Sequence, residues 1–187
     1  MNHNLPATTA ANAADAANIR AFLQQAIDHY PRLVAFSLTL VLPYRETQAE
    51  YRSLILRFHS EVWHRTGEYS QERQLARKCS PPTLLRWIWE AVSAPECKMV
   101  LMMNLGTLAV GSSAQHVEHA MQIMSELLTE TWLTVCGAEH SSVENFTPLV
   151  ISRTGCGNFT GPFNQLKAWA QEMKGPVTTA RTGVICT

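Results

Sequence analysis

Residues 96–104, ECKMVLMMN, constrain the fold more than any other stretch. Met99 to Met103 include no polar side chain, and Pro95 marks a turn before them, so the run reads as a strand inside the core. Its first residues are unlike the rest. Glu96 and Lys98 stand two apart, and side chains two apart on a strand share one face of the sheet. A core strand therefore opens with a carboxylate and an ammonium side by side.

The flanking segments supply the frame. Residues 1–12, rich in Ala, Asn and Thr, are expected as a flexible tail. Ile19, Phe22, Leu23, Ala26, Ile27 and Tyr30 then recur at helical spacing up to Pro31. RLVAFSLTLVLP, rich in branched residues and closed by Pro43, reads as a buried strand. A helix is expected from about Thr47, whose spacing to Glu50 suits a capping box. Its inward face is Tyr51, Leu54, Ile55, Phe58 and Val62. The polar residues 66–82, ending in CSPP, read as a loop. In TLLRWIWEAV, Leu85, Trp87 and Trp89 alternate with Arg86 and Glu90, which predicts a strand with its tryptophans in the core and its charges on the opposite face. AQHVEHAMQIMSELLTETWLTV is the clearest helix, and Gly137 is placed to end it. FTPLVIS predicts a short strand, RTGCGNFTGP a glycine-rich loop, FNQLKAWAQEMK a last helix, and the remainder an irregular tail.

The resulting order, behind an N-terminal helix, is β-α-β-β-α-β-α. It defines an α+β fold of the split βαβ (β-α-β-β-α-β) kind, an antiparallel sheet with helices on one face, as a single domain over residues 13–187. The first and third strands of such a sheet lie at its centre, which makes ECKMVLMMN a central strand.

Composition narrows the function. The 187 residues have a formal net charge of +0, so no global field draws the chain to nucleic acid or anionic lipid. Residues 51–100 nevertheless hold eight Lys/Arg against five Asp/Glu, a local basic bias. The five cysteines, Cys79, Cys97, Cys136, Cys156 and Cys186, are scattered, and no CxxC pair suggests a disulfide framework or a zinc site. Neither a secretory signal nor a membrane-length apolar run is present, so a cytoplasmic protein with no membrane partner is expected.

Few residues suggest chemistry. His116 and His119, three apart on a helix, lack an evident third metal ligand except loosely Glu126, and read as surface histidines. His59 and His64 do not share a helical face well. Cys156 in TGCGN has no base assigned to it, and its glycines lack the Lys-Ser/Thr of a phosphate-binding loop. The site reading is accordingly no catalytic residue, no metal and no cofactor.

Several segments in order resemble one family. VAFSLTLVLP is similar to the first strand, ending in Pro, of the YagK/YfjJ proteins of filamentous phages (inoviruses) and prophages. LRFHSEVW resembles their Arg-Phe helix, and LLRWIWEAV a segment of the type Leu-Arg-Tyr-x-Trp-x-x-Glu. ECKMVLMMN stands where they have His-Tyr-His, apolar residues and Asn. KAWAQEMK is similar to a helix of the type Ser-Tyr-Leu-x-Lys, and ARTGVICT to an Arg-x-x-Gly tail. That family resembles HUH-type replication initiators, which nick single-stranded DNA.

The resemblance implies an initiator-like fold with a degenerate site. Glu96 and Lys98 stand at the two metal-binding histidines, Trp169 at the nucleophilic tyrosine, and Glu172 at the lysine that follows it. A protonated ammonium has no lone pair to give a metal, and an indole N–H forms no stable phosphoester. The implied function is a catalytically inactive relative of a phage or plasmid replication initiator, encoded by a mobile element. It would bind single- or double-stranded DNA without cutting it, through Arg52, Arg57, Arg73, Arg77, Lys78 and Lys98. The alternative is a host or phage protein partner in a defence or replication complex.

Overall fold

The computed structural model describes residues 16–76, 84–91, 95–109, 113–137, 141–153 and 159–182. Residues 1–12, expected as a tail, lie outside them. Five strands make one sheet: β1 (Arg32–Val41), β2 (Leu84–Glu90), β3 (Glu96–Asn104), β4 (Ser142–Ser152) and β5 (Pro176–Thr182). The helices are α1 (Ala16–His29), α2 (Gln48–Ala76), the single turn α3 (Leu105–Leu108), α4 (Ala114–Cys136) and α5 (Thr160–Gln171). The sheet order is β4-β1-β3-β2-β5, and every neighbouring pair is antiparallel. β1 and β3 are thus interior strands, with β3 in the middle, as the split βαβ order requires.

Alternation along β1 and β3 divides the core in two. Val34, Phe36, Leu38 and Leu40 of β1, with Cys97, Met99, Leu101 and Met103 of β3, join the core beneath α2 and α4. Leu33, Ala35, Val100 and Met102 point the other way, to α1 and α5. The expectation of helices on one face holds for the crossover helices α2 and α4. It is corrected by α1 and α5, which cover part of the second face and turn a two-layer domain into three layers. Arg86 and Glu90, read as an outward polar face, are consequently buried, at 8% and 6% exposure.

Two further expectations are corrected. α2 continues through residues 66–76, because Glu, Gln, Arg, Leu and Ala all propagate a helix well. The Arg65–Glu61 ion pair at 2.9 Å supports it one turn apart. The tail expected as irregular contains β5, whose Val177, Thr178 and Thr179 are β-branched and suit a strand.

The helix ends follow from their capping residues. Ser113 accepts the His116 N–H at the start of α4, and Gly137 closes it in the left-handed conformation at φ 80°. At α2 the expected capping box forms: the Thr47 N–H donates to Glu50 Oε2 at 2.9 Å, and the Glu50 N–H to Thr47 Oγ1 at 3.2 Å. The Thr47 N–H first, and then its hydroxyl, hold the Glu50 carboxyl below the usual glutamate range. A lowered folded-state value means that this contribution is present above the ordinary glutamate range and is lost as pH falls through the lowered one. An NMR titration is expected to find Glu50 ionising below a free glutamate, and T47A to return it only partway, since the backbone donor remains. An unchanged Glu50 titration in T47A would remove the hydroxyl from the box.

Candidate functional site

The α1/α5 side of the sheet is only half covered. Leu33, Ala35, Ile88, Val100, Met102 and Ile151 lie under the helices. Past them the same face turns polar, with Ser37 and Thr39 on β1 and Lys98 and Glu96 on β3. Pairing aligns these residues: Thr39 faces Lys98 on one side and Glu144 on the other, and Val41 faces Glu96 and Ser142. Glu144, Thr39 and Lys98 therefore form one row across three strands, with Ser142, Val41 and Glu96 as the next. Glu96, Lys98 and Glu144 are exposed. Glu96 and Lys98 form no ion pair with each other; each lies on the open surface.

Glu90 ends the first row on β2. Its Oε2 accepts the Lys98 N–H at 3.3 Å, and its Oε1 the Lys174 N–H at 3.0 Å. Lys174 lies between α5 and β5, so one carboxylate ties the start of β3 to the exit of the last helix. The two segments that the resemblance assigns to a degenerate site, Glu96–Lys98 and Trp169–Glu172, are thereby brought to one end of the domain. Trp169 is half-buried against the α1/α5 core, and Glu172 is exposed at the C-cap of α5. Alternation hid Glu90, because it placed that residue on a solvent face. The signal available was its position opposite Lys98, one residue past the apolar run of β2.

Arg86 is buried beneath α1. Its Nη2 lies 3.4 Å from His29 Nδ1, and its guanidinium carbon sits 5.5 Å from the centre of the Phe22 ring. Burial lowers the Arg86 pKa and raises that of Tyr30, and the two side chains partly offset this in each other.

The basic candidates do not converge. Arg52 and Arg57 are exposed on the outer side of α2, flanking Ala49, Ser53, Leu56 and Ser60, on the opposite side of the sheet from Lys98. Arg73 falls in the last turns of α2, and Arg77 and Lys78 lie outside the described residues. The exposed residues of the neighbouring α4 include Glu118, Glu126 and Glu130. No continuous basic groove runs across either face among the described residues.

The other sequence candidates are separate. Trp87 and Trp89 are fully buried core residues, as their alternation indicates. His59 is buried and stacks on Trp87 with ring centres 4.0 Å apart, whereas His64 is exposed beside Glu68. His116 Nδ1 contacts the Ser113 hydroxyl at 2.7 Å in the α4 cap. Among the described residues no group of three or more His, Cys, Asp and Glu is placed to hold a metal. Cys97 is buried and Cys136 half-buried, and neither is in a disulfide; Cys79, Cys156 and Cys186 lie outside the described residues. No helix among the described residues is long and apolar enough to cross a membrane.

Fold and surface thus define an α+β protein built on a split βαβ sheet, with a half-open polar sheet face. The chain belongs to the family described as uncharacterised conserved protein UCP030791, whose model matches residues 7–147, from before α1 into the first half of β4. No curated protein and no solved structure matches it.

Proposed function

We propose that the protein acts by binding rather than catalysis, as an inactive relative of phage replication initiators, and that its principal partner is a protein. One observation carries the choice of partner. On the open sheet face the exposed Lys98 stands beside Glu96 and in one row with Glu144, and the exposed Lys174 follows where its backbone meets the buried Glu90, so both signs of charge alternate. Such a surface offers a phosphate backbone no continuous basic track and suits a partner that presents both signs of charge. A zero net charge agrees with this.

A second reading, DNA binding, is favoured by Arg52 and Arg57, exposed together on α2 with no carboxylate at ion-pair distance among the described residues. One pair of experiments separates the two. A photo-crosslinking residue replacing Lys98 is expected to give a discrete protein adduct in host cells, and one replacing Gln122 on α4 to give none. Labelled single- and double-stranded DNA is expected to show no saturable anisotropy change at about 50 mM salt, with or without Mn²⁺. DNA binding that collapses by about 200 mM salt and is lost in R52A/R57A would replace the protein reading with the DNA one.

A further inference from the structure

The two edges of the sheet are not alike. β4, at one edge, is blunted: it carries Pro148, the exposed Glu144, a left-handed Asn145 at φ 53°, and a register shift against β1 between Ser37 and Thr39. Proline, charge and irregular backbone are the devices that keep a strand edge from pairing with another chain. β5, at the other edge, is less protected: it has no bulge and no proline beyond its first residue, and its one charged residue is Arg181. Its only proline is Pro176, it has no acidic residue, and it pairs with β2 in unbroken register from Pro176 to Thr182. Among the described residues no strand lies on its outer side. A row of backbone N–H and C=O groups of this kind is complementary to one thing, another extended strand.

We infer that the outer edge of β5 is a self-association surface, on which β5 of a second copy pairs antiparallel about a twofold axis near Thr179 to give a continuous ten-stranded sheet. The strand is complementary to itself in this register. Thr179 meets its own copy, Thr178 meets Ala180, Val177 meets Arg181 and Pro176 meets Thr182. No charged residue faces its own copy, and a twofold contact requires this kind of reciprocity. The zero formal net charge leaves no long-range repulsion between copies, which favours a second copy over a charged peptide as the occupant. A single pair of short strands makes a small interface, so a dissociation constant of about 1–100 μM is expected.

Sedimentation velocity tests this. The 20.9 kDa chain is expected to pass from monomer to dimer as its concentration rises through about 1–100 μM. Thr178 is half-buried and Ala180 exposed, both on the α1/α5 side of the sheet, opposite Ile88 and Arg86 of β2. In T178K/A180K like charges oppose each other twice across the axis, and the protein is expected to stay monomeric throughout the series. In T178E/A180K opposite charges meet instead, and the dimer is expected to persist at least as well as in the wild type. A wild type that stays monomeric over the whole range would overturn the inference. So would a folded T178K/A180K that dimerises like the wild type, because another surface would then be responsible. If T178K/A180K melts well below the wild type, the wild-type series and T178E/A180K decide: loss of the dimer in the latter refutes the register, and its retention supports it.

Discussion

Replacing Trp87 with alanine is expected to destabilise the domain by about 3–5 kcal/mol, the range for a large aromatic removed from a filled core. Trp87 is fully buried at the centre of the α2/α4 side. His59 stacks on it at 4.0 Å, and Phe58 meets it edge-on at 5.9 Å while also meeting Trp132 edge-on at 5.4 Å. Removing one ring leaves faces without neighbours on β2, α2 and, through Phe58, α4. The surrounding strands are fixed by their ladders and cannot close the gap. W87F retains a ring and removes an indole N–H that has no acceptor among the described residues, so a smaller loss of about 1–2 kcal/mol is expected. Thermal melts should separate the variants, with W87A lowered by roughly 6–20 °C in a chain of this size. A W87A loss under about 1 kcal/mol would mean that the three elements are not held through this cluster.

The central part of this fold is written in its apolar periodicity. The strand run before Pro43, the alternation around Trp87 and Trp89, the Met-rich run of β3 and the long α4 period each specify one element. Their order then dictates which strands lie inside. The limit of the helical cover is also legible in retrospect. On one face β1 passes from Leu33 and Ala35 to Ser37 and Thr39, while the antiparallel β3 passes from Glu96 and Lys98 to Val100 and Met102. The two switches meet in the register, so the oddity of Glu96 and Lys98 records where the sheet emerges from beneath α1 and α5. Three features were hidden for separate reasons. The last turns of α2 are polar, and polarity resembles a loop when the sequence carries no apolar stripe. β5 is short and Thr-rich, without a clear apolar alternation. The burial of Arg86 and Glu90 depends on which helices return to the second face, and no local pattern encodes that. The sequence places Arg52 and Arg57 on a helix and Lys98 on a strand face, and only the sheet shows that they stand on opposite sides of it.

Replacing Glu90 with alanine is expected to cost about 2–4 kcal/mol, a loss comparable to that of a core aromatic although little apolar surface is removed. The side chain is buried and each carboxylate oxygen accepts a different backbone N–H, from Lys98 and from Lys174. Alanine leaves both donors without this acceptor at the junction of β2, β3 and the α5–β5 connection, and a half-satisfied buried network costs more than an apolar one. The loss should also be local in its consequences. Glu90 is where β5 begins to pair with β2, since it stands opposite Pro176. Hydrogen exchange in E90A is therefore expected to speed up across α5 and β5 far more than across β1 and β4, whose pairing does not involve this carboxylate. E90Q retains one carbonyl acceptor but turns the other oxygen into a donor facing a donor, so it should lose about half as much. If exchange in E90A rose uniformly over the sheet, Glu90 would be an ordinary core residue. If it rose mainly in α5 and β5, the carboxylate would be what fastens the last helix and strand to the central sheet, and with them the surface around Lys98.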